Sequence, residues 1–156
     1  MFLLRPLRPE DESFLLKLYA STRAEELAAW GWDKARQETF IKMQFTAQQR
    51  WYQAAYPQAE HQLIILKANL IGHILVLREK TRTELIDISL LPEYRNRGVG
   101  TALLGELIEE CRKSGVPLRL QVQCNNQAAI RLYRRLGFST IEQDDVYCRM
   151  ERRSYR

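Results

Sequence analysis

Between Glu84 and Val122 the chain runs from an apolar segment into a glycine-bearing turn, through an amphipathic helix, and back into an apolar segment. Glu84–Leu91 reads as a strand closed by Pro92. Val99, Leu103, Leu107, Ile108 and Cys111 then recur at helical spacing, with Glu106, Glu109, Glu110 and Arg112 on the outer side. Gly115 and Pro117 stand where a C′ glycine and a following proline end a helix. Leu118–Val122 is a second strand. Two strands joined through a helix lie parallel, and strand twist makes such a crossover right-handed. A chain with this unit at its centre is committed to an α/β sheet.

The flanks decide what kind of sheet it is. Residues 2–7 suit a first strand, and Pro9-Glu10-Asp11 places a proline and acids where a helix begins. Phe14, Leu15, Leu18 and Tyr19 follow at helical spacing. Trp30-Gly31-Trp32-Asp33 breaks that helix, and Asp33 suits the N-cap of a long second one. The second helix is expected to bury the stripe Phe40, Met43, Ala47 and Trp51, with Ile41, Phe45, Tyr52 and Tyr56 beside it, and to end at Pro57. Leu63–Leu66 and Ile71–Leu77 flank Lys67-Ala68-Asn69-Leu70 as a hairpin. Gln127–Leu136 is a last helix ended by Gly137, and 138–150 holds a final pair of strands. The 156 residues, with no repeat or low-complexity run, are expected to form one domain over 1–156.

Composition narrows the setting. No apolar stretch approaches the roughly 20 residues of a membrane span, and the apolar start is too short for a secretory leader. Cys111, Cys124 and Cys148 are widely spaced and read as reduced thiols, so a cytoplasmic location is expected. His61 and His73 are the only histidines, so no metal site is expected. The net charge of +5 favours a polyanionic partner: nucleic acid, acidic protein or a phosphorylated cofactor. The basic residues gather near the 95–97 turn, on 131–135 and in the tail 149–156, with no helix-turn-helix or RNA-binding motif beside them. Charge alone does not choose among these partners, but the distribution makes a nucleic-acid binder the weakest functional reading.

The turn after the strand points to the cofactor. In Leu90-Leu91-Pro92-Glu93-Tyr94-Arg95-Asn96-Arg97-Gly98-Val99-Gly100-Thr101 a strand opens into a helix whose first amides have no intrahelical partner. Gly98 and Gly100 let an anion approach the backbone, and the helix dipole adds about half a positive charge. Arg95 and Arg97 supply charge-assisted hydrogen bonds. No Gly-Lys-Ser/Thr follows, and Leu103 holds the third glycine position of a dinucleotide loop, so neither of those motifs is present. Arg95-x-x-Gly98-x-Gly100 instead resembles the acetyl-CoA pyrophosphate loop of the GNAT superfamily of N-acyltransferases. About 30 residues on, Asn126-x-x-Ala129-x-x-x-Tyr133-x-x-x-Gly137-Phe138 resembles the second signature of that superfamily. The two occur in order and at the expected separation.

The resemblance implies a mixed, mostly antiparallel sheet of six or seven strands with a central parallel pair, flanked by about four helices. It implies acetyl-CoA as co-substrate, bound by Leu90, Leu91, Arg95, Asn96, Arg97, Gly98, Val99, Gly100 and Thr101. It further implies Asn126 on the pantetheine arm, Arg131 as a contact for the 3′-phosphate, and Tyr133 as proton donor to the departing thiolate. The tyrosine role is chemically sound, since a phenol near pKa 10 can protonate a thiolate whose thiol lies near 8.5. Transfer would be direct, in a ternary complex. Cys124 is accordingly expected to be a packed thiol rather than a nucleophile.

The acceptor amine must attack neutral. If it resembles lysine, only about one molecule in a few thousand is neutral at pH 7, a deficit of about 4–5 kcal/mol, so a base or a water chain is wanted. Glu84, eleven residues before Arg95, matches the spacing of the catalytic glutamate of the histone acetyltransferase branch. Asp87 lies on the opposite face of the same strand by alternation. Gln121 stands where the branch that acetylates ribosomal-protein N-termini carries a glutamate, which lowers that assignment. Ser89 offers its backbone to an acetyl pocket. Trp30 and Trp32, flanking a glycine in a loop, are candidates for an acceptor wall. Three classes stay open: an N-acetyltransferase for a small molecule, peptide N-terminus or lysine; an idle coenzyme A-binding or regulatory module; and a nucleic-acid binder. A homodimer through the terminal strands also stays open.

Overall fold

A computed structural model describes residues 2–154. In chain order the elements are β1 (Phe2–Pro6), α1 (Glu12–Ala29), α2 (Lys34–Ala55), β2 (Glu60–Leu66), β3 (Asn69–Arg78), β4 (Thr83–Leu90), α3 (Val99–Ser114), β5 (Leu118–Gln123), α4 (Gln127–Arg135), β6 (Ser139–Gln143) and β7 (Tyr147–Arg152). The strands form one sheet in the order β1-β2-β3-β4-β5-β7-β6. β4 and β5 are parallel, as the crossover requires. Among the described residues no helix is long and apolar enough to cross a membrane.

The chain divides into two compact units, one holding the chain to Ile74 with Ser89–Arg97, the other holding Leu75–Ile88 with the chain from Gly98 onward. In the first, β1 pairs antiparallel with β2 from Phe2↔Leu66 to Pro6↔Gln62. Asp11 is buried at the head of α1. Its carboxylate accepts both Arg5 guanidinium nitrogens at 2.8 Å and the Arg8 amide at 2.7 Å. That arrangement satisfies amides which a helix start otherwise leaves open. Asp33 caps α2 as expected, accepting the Arg36 amide at 2.8 Å.

The core of this unit is built on Leu15, Phe45 and Leu63. Here one expectation is corrected. Met43 and Trp51 are exposed, at 61% and 56%. On a helix of 3.6 residues per turn Met43 lies about 200° from Phe45. Once Phe45 faces Tyr19, with ring centroids 5.8 Å apart, the stripe Ile41–Phe45–Tyr52–Tyr56 turns inward and Met43, Ala47 and Trp51 turn out. The β2–β3 turn is also tighter than expected. Lys67 and Ala68 alone make it, at φ 50° and 67°, and Asn69 and Leu70 already belong to β3.

In the second unit α3 buries Leu103, Leu104, Leu107 and Cys111. Leu104 takes the inner place expected for Ile108, which is half-buried. β5 pairs with β7 over six positions, from Leu118↔Arg152 to Gln123↔Tyr147. A row of opposite charges runs across the strands: Glu84 is the partner of Arg119 in the register, and Arg119 Nε donates to Glu151 at 2.7 Å.

Candidate active site

The site originates where two parallel strands of the second unit lose their register. β4 and β5 keep register only through Thr83↔Leu118, Glu84↔Arg119 and Leu85↔Leu120. Beyond that the facing stretches lie either side of a cavity of about 220 Å³, lined by Leu85–Ile88, Leu120–Gln123, Asn126, Ala129 and Tyr133. Unpaired strand ends expose backbone N–H and C=O groups, which need partners of their own. A slot of this kind suits an extended polar chain.

Two titratable side chains face that slot. Tyr133 is half-buried on α4 with its ring edge-on to Phe138, centroids 5.8 Å apart. Burial, and then the negative charge of Asp87, push its phenol above the ordinary value of 10. The hydroxyl therefore stays protonated across the physiological range and is available as a donor. Asp87 lines the same cavity.

Glu84 is not brought there. It carries 13% side-chain exposure and is engaged by Arg82 at 3.1 Å and Arg149 at 3.6 Å, on the face opposite Asp87. Its surroundings are those of a rung in a charged ladder. Gln121 does line the cavity, with a neutral amide where a base was considered. Gln123 and Ile86 line it too, with Ala129 of the second signature, and neither strand residue stands out in the sequence. Neutral residues on a strand carry no chemical signal, and only the divergence of β4 from β5 gives them a role.

Asn126 caps α4, its Oδ1 accepting the Ala129 amide at 3.2 Å, and it also borders the cavity. The cap uses the oxygen, so the side-chain amide can still donate. At the start of α3, Gly98 is left-handed at φ 82° and no side chain caps the helix. The first intrahelical bond is Ala102 N–H to Gly98 O. The amides of Val99, Gly100 and Thr101 precede it, in the arrangement that binds anions. Arg131, Arg134 and Arg135 are exposed on α4.

In the first unit, Asn96 is left-handed at φ 60°, which asparagine tolerates better than most residues. Arg95 Nε donates to the Leu90 carbonyl at 2.9 Å, and the Leu91 amide donates to Ile71 O at 2.8 Å. Those groups of Leu90 and Leu91 are thus committed within the protein. Arg97 lies over the Tyr94 ring at 6.0 Å. Trp30, Trp32 and Phe40 form an edge-to-face cluster with centroids 5.1–5.5 Å apart, and Arg36 stacks on Trp32 at 4.2 Å. The two tryptophans pack on each other and on α2, and the cavity lining comes wholly from the second unit. Cys124 directs its Sγ at the Asp144 carbonyl, 3.4 Å away, and burial pushes its thiol up. A nucleophile needs the opposite shift.

The family model described as the acetyltransferase (GNAT) family matches residues 20–138. The chain is 48% identical over 65 residues to the ribosomal protein bS18-alanine N-acetyltransferase of Escherichia coli (strain K12), covering 41% of this chain and 42% of that relative. The match thus spans less than half of the curated relative. Among solved structures, the fold is similar to that of PaiA N-acetyltransferase from Thermoplasma acidophilum in complex with coenzyme A. That likeness has a TM-score of 0.70 and 21% identity, over 98% of this chain and 99% of the other. The ribosomal-protein-S18-alanine N-acetyltransferase of Escherichia coli is similar at a TM-score of 0.63 and 21% identity, over 100% and 96%.

Proposed function

The chain belongs to the acetyltransferase (GNAT) family, and on that premise we propose that it is an N-acetyltransferase moving the acetyl group of acetyl-CoA onto a primary amine of a small molecule or peptide. The observation that carries this is the slot between β4 and β5, with a protonated phenol and a carboxylate on its walls. The neutral amine attacks the thioester carbonyl and a tetrahedral centre forms. Its collapse forms the amide and breaks the C–S bond. Tyr133 gives its proton to the departing sulfur, and the proton lost by the amine goes to Asp87 directly or through water. Asp87 is preferred to Glu84 as the base because it borders the slot. The free amides of Val99, Gly100 and Thr101 take the pyrophosphate, aided by Arg97 and Arg95. Asn126 holds the pantetheine arm, and Arg131 meets the 3′-phosphate.

A protein N-terminal α-amine is the second reading of the acceptor. The 48% identity to an alanine N-acetyltransferase favours it, and Gln121 weighs against it. Release of free thiol from acetyl-CoA, measured with a panel of amines and an Ala-initiated peptide, tests both. Turnover with at least one acceptor supports the enzyme. Thermal stabilisation by acetyl-CoA without thiol release from any acceptor would establish the idle module instead. Neither stabilisation nor release removes acetyl-CoA from the account.

A further inference from the structure

The last turn of α4 closes around Tyr133. The Phe138 amide donates to the Tyr133 carbonyl at 3.0 Å, and the Gly137 amide to the Arg134 carbonyl at 3.1 Å. With Gly137 left-handed at φ 96°, these are the two bonds of a Schellman motif, which brings the residues at its two ends into apolar contact. Here those residues are Tyr133 and Phe138, whose rings meet edge-on. The seat of the phenol is thus the helix terminus itself.

A side chain of β7 fastens that terminus to the sheet. Arg152 Nε donates to the Leu136 carbonyl at 2.9 Å, one of the carbonyls that a helix end leaves open. Its stem lies along Gly137: a Cβ there would stand 3.1 Å from Nε and 3.7 Å from both Cδ and Cγ. Arg152 is in turn registered with Leu118 of β5. At its other end α4 is held close to β5 by the chain itself. The Asn126 amide donates to the Gln123 carbonyl at 3.0 Å, and Gln127 Nε2 to the Cys124 carbonyl at 2.8 Å. All of these groups belong to the second unit. A helix of nine residues is too short to be stable alone, so the ties at its ends decide where it points. Tyr133 lies about 9 Å along the axis from Gln127, so a tilt of about 6° at that end moves it by about 1 Å.

We propose that Arg152 is a positioning residue for the acyl transfer: by holding the Leu136 carbonyl it fixes the direction of α4 and keeps the Tyr133 phenol on the wall of the cavity. The inference rests on the acetyl-CoA reading of that cavity and on Tyr133 as proton donor. A misplacement near 1 Å costs up to about a hundredfold in a positioned reaction. Because the donor is needed only as sulfur departs, the loss falls on kcat and not on the affinity for acetyl-CoA.

Arg152→Met keeps an unbranched apolar stem over Gly137 and removes the donor. Arg152→Gln places an uncharged N–H at the same distance along the side chain. Thiol release is measured for both, in the wild-type background and with Tyr133→Phe. Arg152→Met should lower kcat about 10–100-fold, with the KM for acetyl-CoA changed by less than about twofold. Arg152→Gln should recover most of that loss, and neither should slow Tyr133→Phe by more than about twofold further. A purely structural role lowers the thermal midpoint but leaves folded Arg152→Met at the wild-type kcat, and that outcome overturns the inference. So does a loss of equal size in the Tyr133→Phe background, or a loss that Arg152→Gln shares in full. If Arg152→Met does not fold, Gly137→Asn reaches the same contact from the other side. Asparagine tolerates a left-handed backbone, while its Cβ crowds Arg152 Nε. A kcat lowered about threefold or more, with no further loss in Tyr133→Phe, is then expected; the wild-type kcat in folded Gly137→Asn overturns the inference. A wild-type chain that releases no thiol with any acceptor overturns the proposed function, and an undiminished Tyr133→Phe overturns the role of that phenol; either result takes this inference with it.

Discussion

Replacing Tyr133 by phenylalanine removes one oxygen and little else. The contacts that seat the residue are its ring against Phe138 and its carbonyl accepting the Leu136 and Phe138 amides at 3.0 Å. None of these uses the hydroxyl, so stability should change by less than about 1 kcal/mol. The catalytic cost is larger. A thiol near pKa 8.5 that must leave as free thiolate at pH 7 stands about 2 kcal/mol above its protonated form. The lost hydrogen bond to a developing charge adds about 1.5 kcal/mol or more. Together these amount to about 3–4 kcal/mol, or about 10²–10³ in kcat. Because the interaction matures only as sulfur departs, the Kd for acetyl-CoA should change little.

The pH profile supplies the signature. As the proposed acid, Tyr133 would contribute below its folded pKa, and the contribution would be lost as pH rises through it. Burial, and then Asp87, hold that pKa above the ordinary 10. The wild-type chain should show no falling limb from this group below about pH 10, and Asp87→Asn should move the limb to lower pH. Thiol release over pH 6–10.5, with acetyl-CoA affinity measured separately, decides the matter. Turnover by Tyr133→Phe that is undiminished at every pH refutes the reasoning, as does a loss accounted for entirely by weaker binding.

Three further outcomes follow from the same geometry. Asp11 is held at about 2 against an ordinary 3.8, chiefly by its hydrogen bonds from Arg5, with burial opposing and the Arg8 amide assisting. A depressed carboxylate stabilises above its unfolded pKa, so Asp11→Asn should cost about 1–2 kcal/mol at pH 7, after allowance for solvent screening around Arg5. That gap should close as pH falls from about 4 to about 2, and a urea-unfolding difference that persists at pH 2 excludes this origin. Lys67→Asn with Ala68→Gly should stabilise by about 1 kcal/mol per residue, since both positions are left-handed; an unshifted denaturation midpoint contradicts it. Glu84→Gln should cost about 1 kcal/mol of stability and leave turnover within about threefold, because its partners are Arg82 and Arg149. Abolished turnover in Glu84→Gln, with Asp87→Asn active, would reverse the assignment of the base.

Much of the fold was legible because it is written in local signals. Asp33, Gly98, Gly115 and Pro57 act on their own neighbours, and each stands at the helix boundary expected of it. The inward face of α2 was not legible. Its sequence carries two apolar stripes about 200° apart, and periodicity ranks neither. The partner Tyr19 decided, by receiving Phe45. The site divides in the same way. Asn126 and Tyr133 sit on one short helix at fixed spacing, so both reach the cavity together, seven residues apart.

Asp87 and Glu84 show where local rules stop. Strand alternation places them on opposite faces of β4, and that much held. Which face borders the cavity depends on where β4 leaves β5, and no residue of either strand encodes this alone. The register ends at Leu85↔Leu120, although β5 continues to Gln123. A carboxylate one face over meets arginines instead and becomes part of the ladder that joins β4 to β5 and β7. The role proposed for each acid thus follows from the face it occupies and from the residue at which β4 leaves β5.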